Sequence, residues 1–209
     1  MADRGATLML IRHGLTDWNE SGRLMGRTDG IGLNARGRAQ AAALGDALRH
    51  LRPDLLLASP RRRTQETAAA IAEACGRPVE TDDALDEVWL GRWQGKTFGD
   101  IADDPDLRHW LADPTWTCEA IEPLDRVQAR VLPVLERVRA LPPGALAIVV
   151  SHGDPLRVLL AHVLGLALGD YRRLDVRPGS VAVVRLAPES GRLLVLGWRP
   201  GAALPGIEP

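Results

Sequence analysis

Lysine is all but missing from this chain: Lys96 is the only one among 26 basic residues, so arginine carries the positive charge. Genomic base composition can produce that bias, and it assigns no function. Cysteine is nearly as scarce. Cys75 and Cys118 confine thiol chemistry to two positions and permit one disulfide but no framework; two buried free thiols in a reducing cytoplasm are expected. Long apolar runs are absent, since no stretch approaches the roughly 18–20 residues of a membrane span. Asp3 and Arg4 precede a short strand, without a signal-peptide core. Neither sign of charge is in excess: a net charge of −1 leaves no global field aimed at nucleic acid or an anionic membrane. Repeats, low-complexity tracts and linkers are also missing. A single domain spanning 1–209 in the cytoplasm is therefore expected, within the usual range of about 50–250 residues.

What is present is an alternation of strands and helices. TLMLI (7–11) reads as a first buried strand. Asn34 caps a helix whose apolar face is Ala41, Leu44, Leu48 and Leu51. A second strand at 54–58 leads into a helix from about 60 to 75 that Gly76 stops. A short third strand is expected at Val79, and one helix near 97–112 within an irregular, Trp-rich segment. Val127, Val131, Val134 and Val138 mark a helix that Pro133 is expected to kink. ALAIVV (145–150) is another buried strand; Asp154-Pro155 opens the next helix, and strands near 180–186 and 192–198 close the fold. Continuous apolar strands between helices predict an α/β fold, a mostly parallel sheet covered on both faces. Ligands of such sheets bind beyond the carboxyl ends of the strands.

That is where LMLIRHGLTDWN (8–19) places Arg12, His13 and Gly14. IVVSHGDPLR (148–157) repeats the plan, a buried strand followed by His152-Gly153 and a helix start. The glycines let backbone N–H groups approach a ligand, and the helix N-terminus favours an anion. SPRRRTQET (59–67) also follows a strand, with Arg63 and Thr67 on one helix face. Two guanidiniums and two imidazoles around one cavity oppose one another unless an anion neutralises them, and phosphate suits bidentate arginine. A metal held by His13, His152, Asp17 and Asp154 is disfavoured, because the adjacent arginines repel a cation.

The blocks LIRHGLTDWN, GRLMGRTDGIGLNARGRAQA, SPRRRTQETA, LDEVWLGRWQG and VVSHGDPLR, in this order between residues 8 and 157, resemble the histidine phosphatase superfamily, which includes the phosphoglycerate mutases. The resemblance implies a three-layer αβα sandwich. It makes His13 the nucleophile that becomes a phosphohistidine, with Arg12, Arg63 and His152 holding phosphoryl oxygens. Asn19, Thr16 and Gly153 would complete the substrate pocket, and Glu87 would donate a proton to the leaving group and then serve as base for water. An imidazole between arginines should stay neutral and nucleophilic. Neither a metal nor a cofactor is implied. The partner is a small phosphorylated substrate, with a homodimer admitted and no nucleic acid or membrane.

Sixty-five positions separate Glu87 from His152, short for the insertion that grips a bisphosphorylated intermediate in the mutases. Segment 97–120 is acidic, with Lys96 and Arg108 the cations close by, which favours hydrolysis over mutase chemistry. A protein phosphatase and a non-catalytic phosphate-binding module rank lower, because segment 90–120 can cap the pocket and neither nucleophile nor acid is missing. Several positions depart from the family pattern and leave the substrate open. Thr117-Cys118-Glu119-Ala120 stands where many relatives carry Gly-Gly-Glu-Ser, Leu15 replaces a frequent acid, and Met25 stands where Gln is common. Asp86 is expected to face away from the site, Arg61 and Arg62 to lie on a solvated face, and Trp93 to shape the pocket wall. Asp29 and Gln40 read as structural.

Overall fold

Strands that are apolar at every position need cover on both faces, and the first strand shows how it is supplied. In β1 (Ala6–Arg12), Leu8 and Leu10 join one core cluster while Met9 and Ile11 join another on the opposite face of the sheet. The computed structural model describes residues 5–118, 121–188, 190–202 and 204. After β1 come a short helix α1 (Asp17–Glu20), α2 (Ala35–Leu48), β2 (Leu55–Ala58), α3 (Arg62–Cys75) and β3 (Glu80–Thr81). Then follow α4 (Pro105–Ala112), α5 (Leu124–Arg139), β4 (Leu146–Ser151), α6 (Gly153–Val163), β5 (Val181–Leu186) and β6 (Gly191–Trp198).

The sheet runs β3-β2-β4-β1-β5-β6. Strands β1 to β4 are mutually parallel where they pair, with Leu10 opposite Val149, and β5 and β6 add an antiparallel edge. The first core cluster includes Val131, Leu135, Leu156 and Leu160 of α5 and α6; the second includes Leu44, Leu48, Ala68 and Ile71 of α2 and α3. The expected three-layer α/β sandwich is thus present, as a mixed but predominantly parallel sheet.

One expectation changes. The helix near 97–112 is broken into a 3₁₀ turn at Gly99–Ile101 and α4, because Pro105 lacks an N–H and takes the first helical position. Asp104 caps α4 by accepting from Asp106 N at 3.0 Å. Pro133 lies within α5, which runs on past it to Arg139. Cys75 is a buried free thiol and Cys118 a half-buried one. Asp3, Arg4, Glu119 and Ala120 lie outside the described residues.

The loop leaving β1 is pressed against α2 at two glycines. A Cβ on Gly14 would sit 2.6 Å from the Gly37 carbonyl oxygen, and one on Gly37 would overlap the Leu15 carbonyl oxygen. Gly37→Ala therefore destabilises the protein by about 3 kcal/mol, the upper end of overpacking costs. Urea unfolding measures this, and an unchanged midpoint would contradict the close approach.

Candidate active site

The carboxyl ends of β1, β2 and β4 deliver the site. Arg12 ends β1 and His13 follows it, with the His13 N–H donating to the last carbonyl of β4, Ser151 O, at 3.0 Å. His152 follows β4 as the N-cap of α6. Arg63 stands in the first turn of α3, just beyond β2. Thr67 fastens the two segments, accepting from Gly14 N at 3.1 Å and donating to Arg63 O at 2.8 Å.

His13 is fully buried, and its Nδ1 lies 2.8 Å from Gly14 O. A carbonyl only accepts, so Nδ1 carries the proton and Nε2 presents a lone pair. That Nε2 has no protein partner. Burial first, and then the charges of Arg63 and Arg12, hold His13 well below the ordinary histidine range, against a small upward pull from Gly14. The ring of His152 meets it edge-on at 5.3 Å between centroids. Burial, then Arg63, His13 and Arg12, keep His152 neutral in the same way. Its Nε2 lies 2.7 Å from Ser59 Oγ, while Nδ1 has no protein partner.

Arg63 donates through Nη2 to Gly26 O at 2.8 Å and keeps Nε and Nη1 free, and Arg12 donates through Nη1 to Val176 O at 2.8 Å and keeps Nε free. Burial lowers both guanidinium pKa values, that of Arg63 to about 10. Buried guanidinium N–H groups, an imidazole lone pair and a second imidazole thus converge without protein partners. Such groups cost free energy unless a ligand satisfies them, and a tetrahedral oxyanion matches them in number and charge. Among the described residues, no group of three or more His, Cys, Asp or Glu is placed to hold a metal ion.

Arg12, Glu87 and Gly153 line a cavity of about 410 Å³. Glu87 is held at both ends of its backbone. Its N–H donates to Asp86 Oδ1 at 2.9 Å, and its carbonyl accepts from Arg27 Nε at 2.7 Å and Arg130 Nη2 at 3.1 Å. Burial and then the Asp154 charge raise its carboxyl to about 7, against the Val88 N–H, Arg63 and Arg12. A proton donor and acceptor poised near neutrality results.

Asp86, expected from the sequence to face away, does not. It is buried, chelated by Arg61 at 2.7–3.0 Å, with Oδ1 3.9 Å from His152 Nε2. Arg61 is correspondingly not on a solvated face: it bridges Asp86 and Asp29, whereas Arg62 is exposed as expected. Thr16 is fully buried and caps α1, its hydroxyl accepting from Asn19 N at 3.1 Å, so it supports the pocket through Asn19. Asn19 lines the cavity, with Oδ1 accepting from Thr16 N. Trp93 is buried in the core with Nε1 on Asp104 at 2.7 Å, and Trp110 forms the wall instead. Gln40 is structural, its Oε1 accepting from Leu15 N at 2.8 Å. Met25 lines the cavity, and its sulfur accepts from Thr16 Oγ1 at 3.4 Å. Ser59, missed in the sequence, stood in plain view after β2, four residues before Arg63.

The family model described as histidine phosphatase superfamily (branch 1) matches residues 8–199. The chain is 33% identical to a glucosyl-3-phosphoglycerate phosphatase of Mycobacterium tuberculosis, over 98% of this chain and 92% of that one. It is 31% identical to a probable phosphoglycerate mutase of Salmonella paratyphi A, over 90% of this chain and 88% of that one. A putative α-ribazole-5′-phosphate phosphatase structure from Escherichia coli superposes with a TM-score of 0.86 at 27% identity, covering 96% of this chain and all of the other.

Proposed function

Because the chain belongs to the histidine phosphatase superfamily, we propose that it is a phosphatase hydrolysing small phosphate monoesters through a phosphohistidine on His13, without metal or cofactor. The observation that carries this reading is the His13 Nε2 lone pair, buried and unpartnered among the free N–H groups of Arg12, Arg63 and His152.

In the first step Nε2 attacks phosphorus, the ester P–O bond breaks, and the Glu87 carboxyl passes its proton to the departing oxygen. In the second, water attacks the phosphohistidine, the Glu87 carboxylate takes its proton, the N–P bond breaks and inorganic phosphate leaves. Charge spreading over the equatorial oxygens meets the fixed donors of Arg12 and Arg63. Ser59, accepting from Arg61 N at 3.4 Å, donates its hydroxyl to His152 Nε2, which leaves Nδ1–H to face a phosphoryl oxygen. Asn19 and Gly153 form the adjoining wall.

Segment 90–118 acts as a cap, supplying Leu90, Phe98 and Trp110 to the cavity, and this cover favours small substrates over a protein surface. The substrate types named for the relatives, glucosyl-3-phosphoglycerate and α-ribazole 5′-phosphate, are of that kind. Near-neutral net charge leaves no global field to draw nucleic acid or an anionic membrane to the enzyme. Among the described residues, no helix is long and apolar enough to cross a membrane. The assembly that the family resemblance admits is a homodimer.

A second reading, a phosphomutase, is favoured by one observation that the sequence concealed. Cations do not come from segment 97–120, yet Arg23, Arg157 and Arg172 reach the cavity from elsewhere. One assay separates the two readings: phosphate release in EDTA from a monoester panel including 3-phosphoglycerate, with 2-phosphoglycerate followed in parallel. The phosphatase releases phosphate at a rate that EDTA leaves unchanged. Isomerisation without net release would make the protein a mutase, and silence in both channels would overturn the proposal.

A further inference from the structure

We propose that Glu122 is a positioning residue for the reaction: through Arg27 and Arg130 it fixes the Glu87 backbone and so aims the Glu87 carboxyl at the leaving oxygen. This rests on the reading of Glu87 as the acid and base of the same site.

The Glu87 carboxyl goes where its backbone goes. Its Oε1 accepts from Val88 N at 3.0 Å, a bond to the very next residue. Residues 82–90 hold a single 3₁₀ turn, Asp83–Leu85, and no strand or α-helix, so no ladder of backbone hydrogen bonds sets their course. Arginine side chains set it instead. Arg130, on α5, donates through Nη1 to Ala84 O at 2.6 Å and through Nη2 to Glu87 O at 3.1 Å, bracketing the turn. Arg27 donates through Nε to the same Glu87 O at 2.7 Å.

Two guanidiniums that converge on one carbonyl repel each other, and Glu122 holds them there. Its Oε2 accepts from Arg27 Nη2 at 2.7 Å and from Arg130 Nη2 at 3.1 Å, and its Oε1 from Arg130 Nε at 2.9 Å. Oε2 also accepts from Trp89 N at 3.2 Å, while Glu122 N donates to Trp89 O at 2.9 Å, which ties residue 122 to the chain just past Glu87. The Glu122 side chain is only 13% exposed, so its charge cannot be replaced cheaply by water. Against burial, the hydrogen bonds and charge of Arg130 and the charge of Arg27 hold its carboxyl below the ordinary glutamate range. The same loop reaches the phosphoryl cradle, because Gly26 O, one residue before Arg27, accepts from Arg63 Nη2 at 2.8 Å. Releasing Arg27 and Arg130 therefore shifts Glu87 relative to the bound phosphoryl group. A misplacement of about 1 Å at a reacting group costs on the order of 10²-fold.

Glu122→Gln keeps the shape and removes the charge between the two arginines. On the alkyl monoester that wild type turns over fastest, kcat/KM falls by about 10–100-fold, a partial loss because Asp86 still holds the Glu87 N–H. On p-nitrophenyl phosphate, whose leaving oxygen needs no proton, kcat/KM stays within about threefold of wild type. In the Glu87→Gln background the same substitution costs less than about threefold on either ester, because no acid is left to aim. Arg130→Lys keeps the charge but cannot span Ala84 O, Glu87 O and Glu122 together. It gives the same alkyl-selective loss and decides the question if Glu122→Gln does not fold. Equal losses on alkyl and aryl esters, an undiminished alkyl rate, or a full second loss in the Glu87→Gln background would overturn the positioning role and leave the acid assignment standing. A Glu87→Gln enzyme with wild-type alkyl rates would overturn the acid assignment and this inference with it.

Discussion

His13→Ala lowers phosphate release from every monoester by on the order of 10⁴–10⁶-fold, the scale of losing a covalent nucleophile. No neighbouring group can take its place. His152 points its Nε2 at Ser59, and its Nδ1 belongs to the phosphoryl cradle. Water could attack directly in the variant, but without the lone pair that Gly14 O orients on Nε2. Steady-state release from p-nitrophenyl phosphate measures the loss. A rate within tenfold of wild type would remove His13 from the mechanism.

Glu87→Gln costs about 10²–10⁴-fold for alkyl phosphates, the usual contribution of a general acid, and much less for aryl phosphates whose leaving oxygen needs no proton. The pH profile carries the same information. The Glu87 carboxyl is raised to about 7, so it holds its proton below that value, and kcat/KM for alkyl esters falls as pH climbs past it. His13, held below its ordinary 6.5, stays unprotonated to lower pH than a free imidazole and moves the acid limb downward. In Glu87→Gln the alkaline limb disappears. Stability follows by linkage. Between the ordinary 4.5 and about 7, folded Glu87 binds more protons than unfolded, so its contribution declines as pH rises through that window. The two buried histidines act oppositely, and their contribution is lost as pH falls below 6.5. Equal losses for alkyl and aryl esters, or an alkaline limb that survives the substitution, would contradict Glu87 as the acid.

The site was most legible where the chain leaves a core strand. Arg12, His13, Arg63 and His152 each stand within a few residues of a strand end, and parallel strands bring their ends together, so order along the chain became proximity in space. The continuous burial of β1 and the Asn34 cap of α2 were equally readable. Side-chain direction in irregular segments was not. Asp86 and Glu87 are neighbours after a 3₁₀ turn, where neither strand nor helix periodicity says which faces inward, and both do. Arg61 is the extended N-cap of α3 and leaves the helix sideways toward Asp86, which three consecutive arginines could not reveal. Arg23, Arg157 and Arg172 were invisible as a group because only the tertiary fold joins them. The acidic character of 97–120 therefore misrepresented the charge of the cavity.

The central claim is a covalent phosphoryl group on His13. Rapid quenching into base with a radiolabelled monoester, followed by peptide mapping, tests it most directly. The account predicts a base-stable, acid-labile label on the peptide containing His13, absent from His13→Ala and longer-lived in Glu87→Gln, where the base for water is gone. Label on another residue, or multiple turnovers in wild type with no protein-bound label at any quench time, would contradict it.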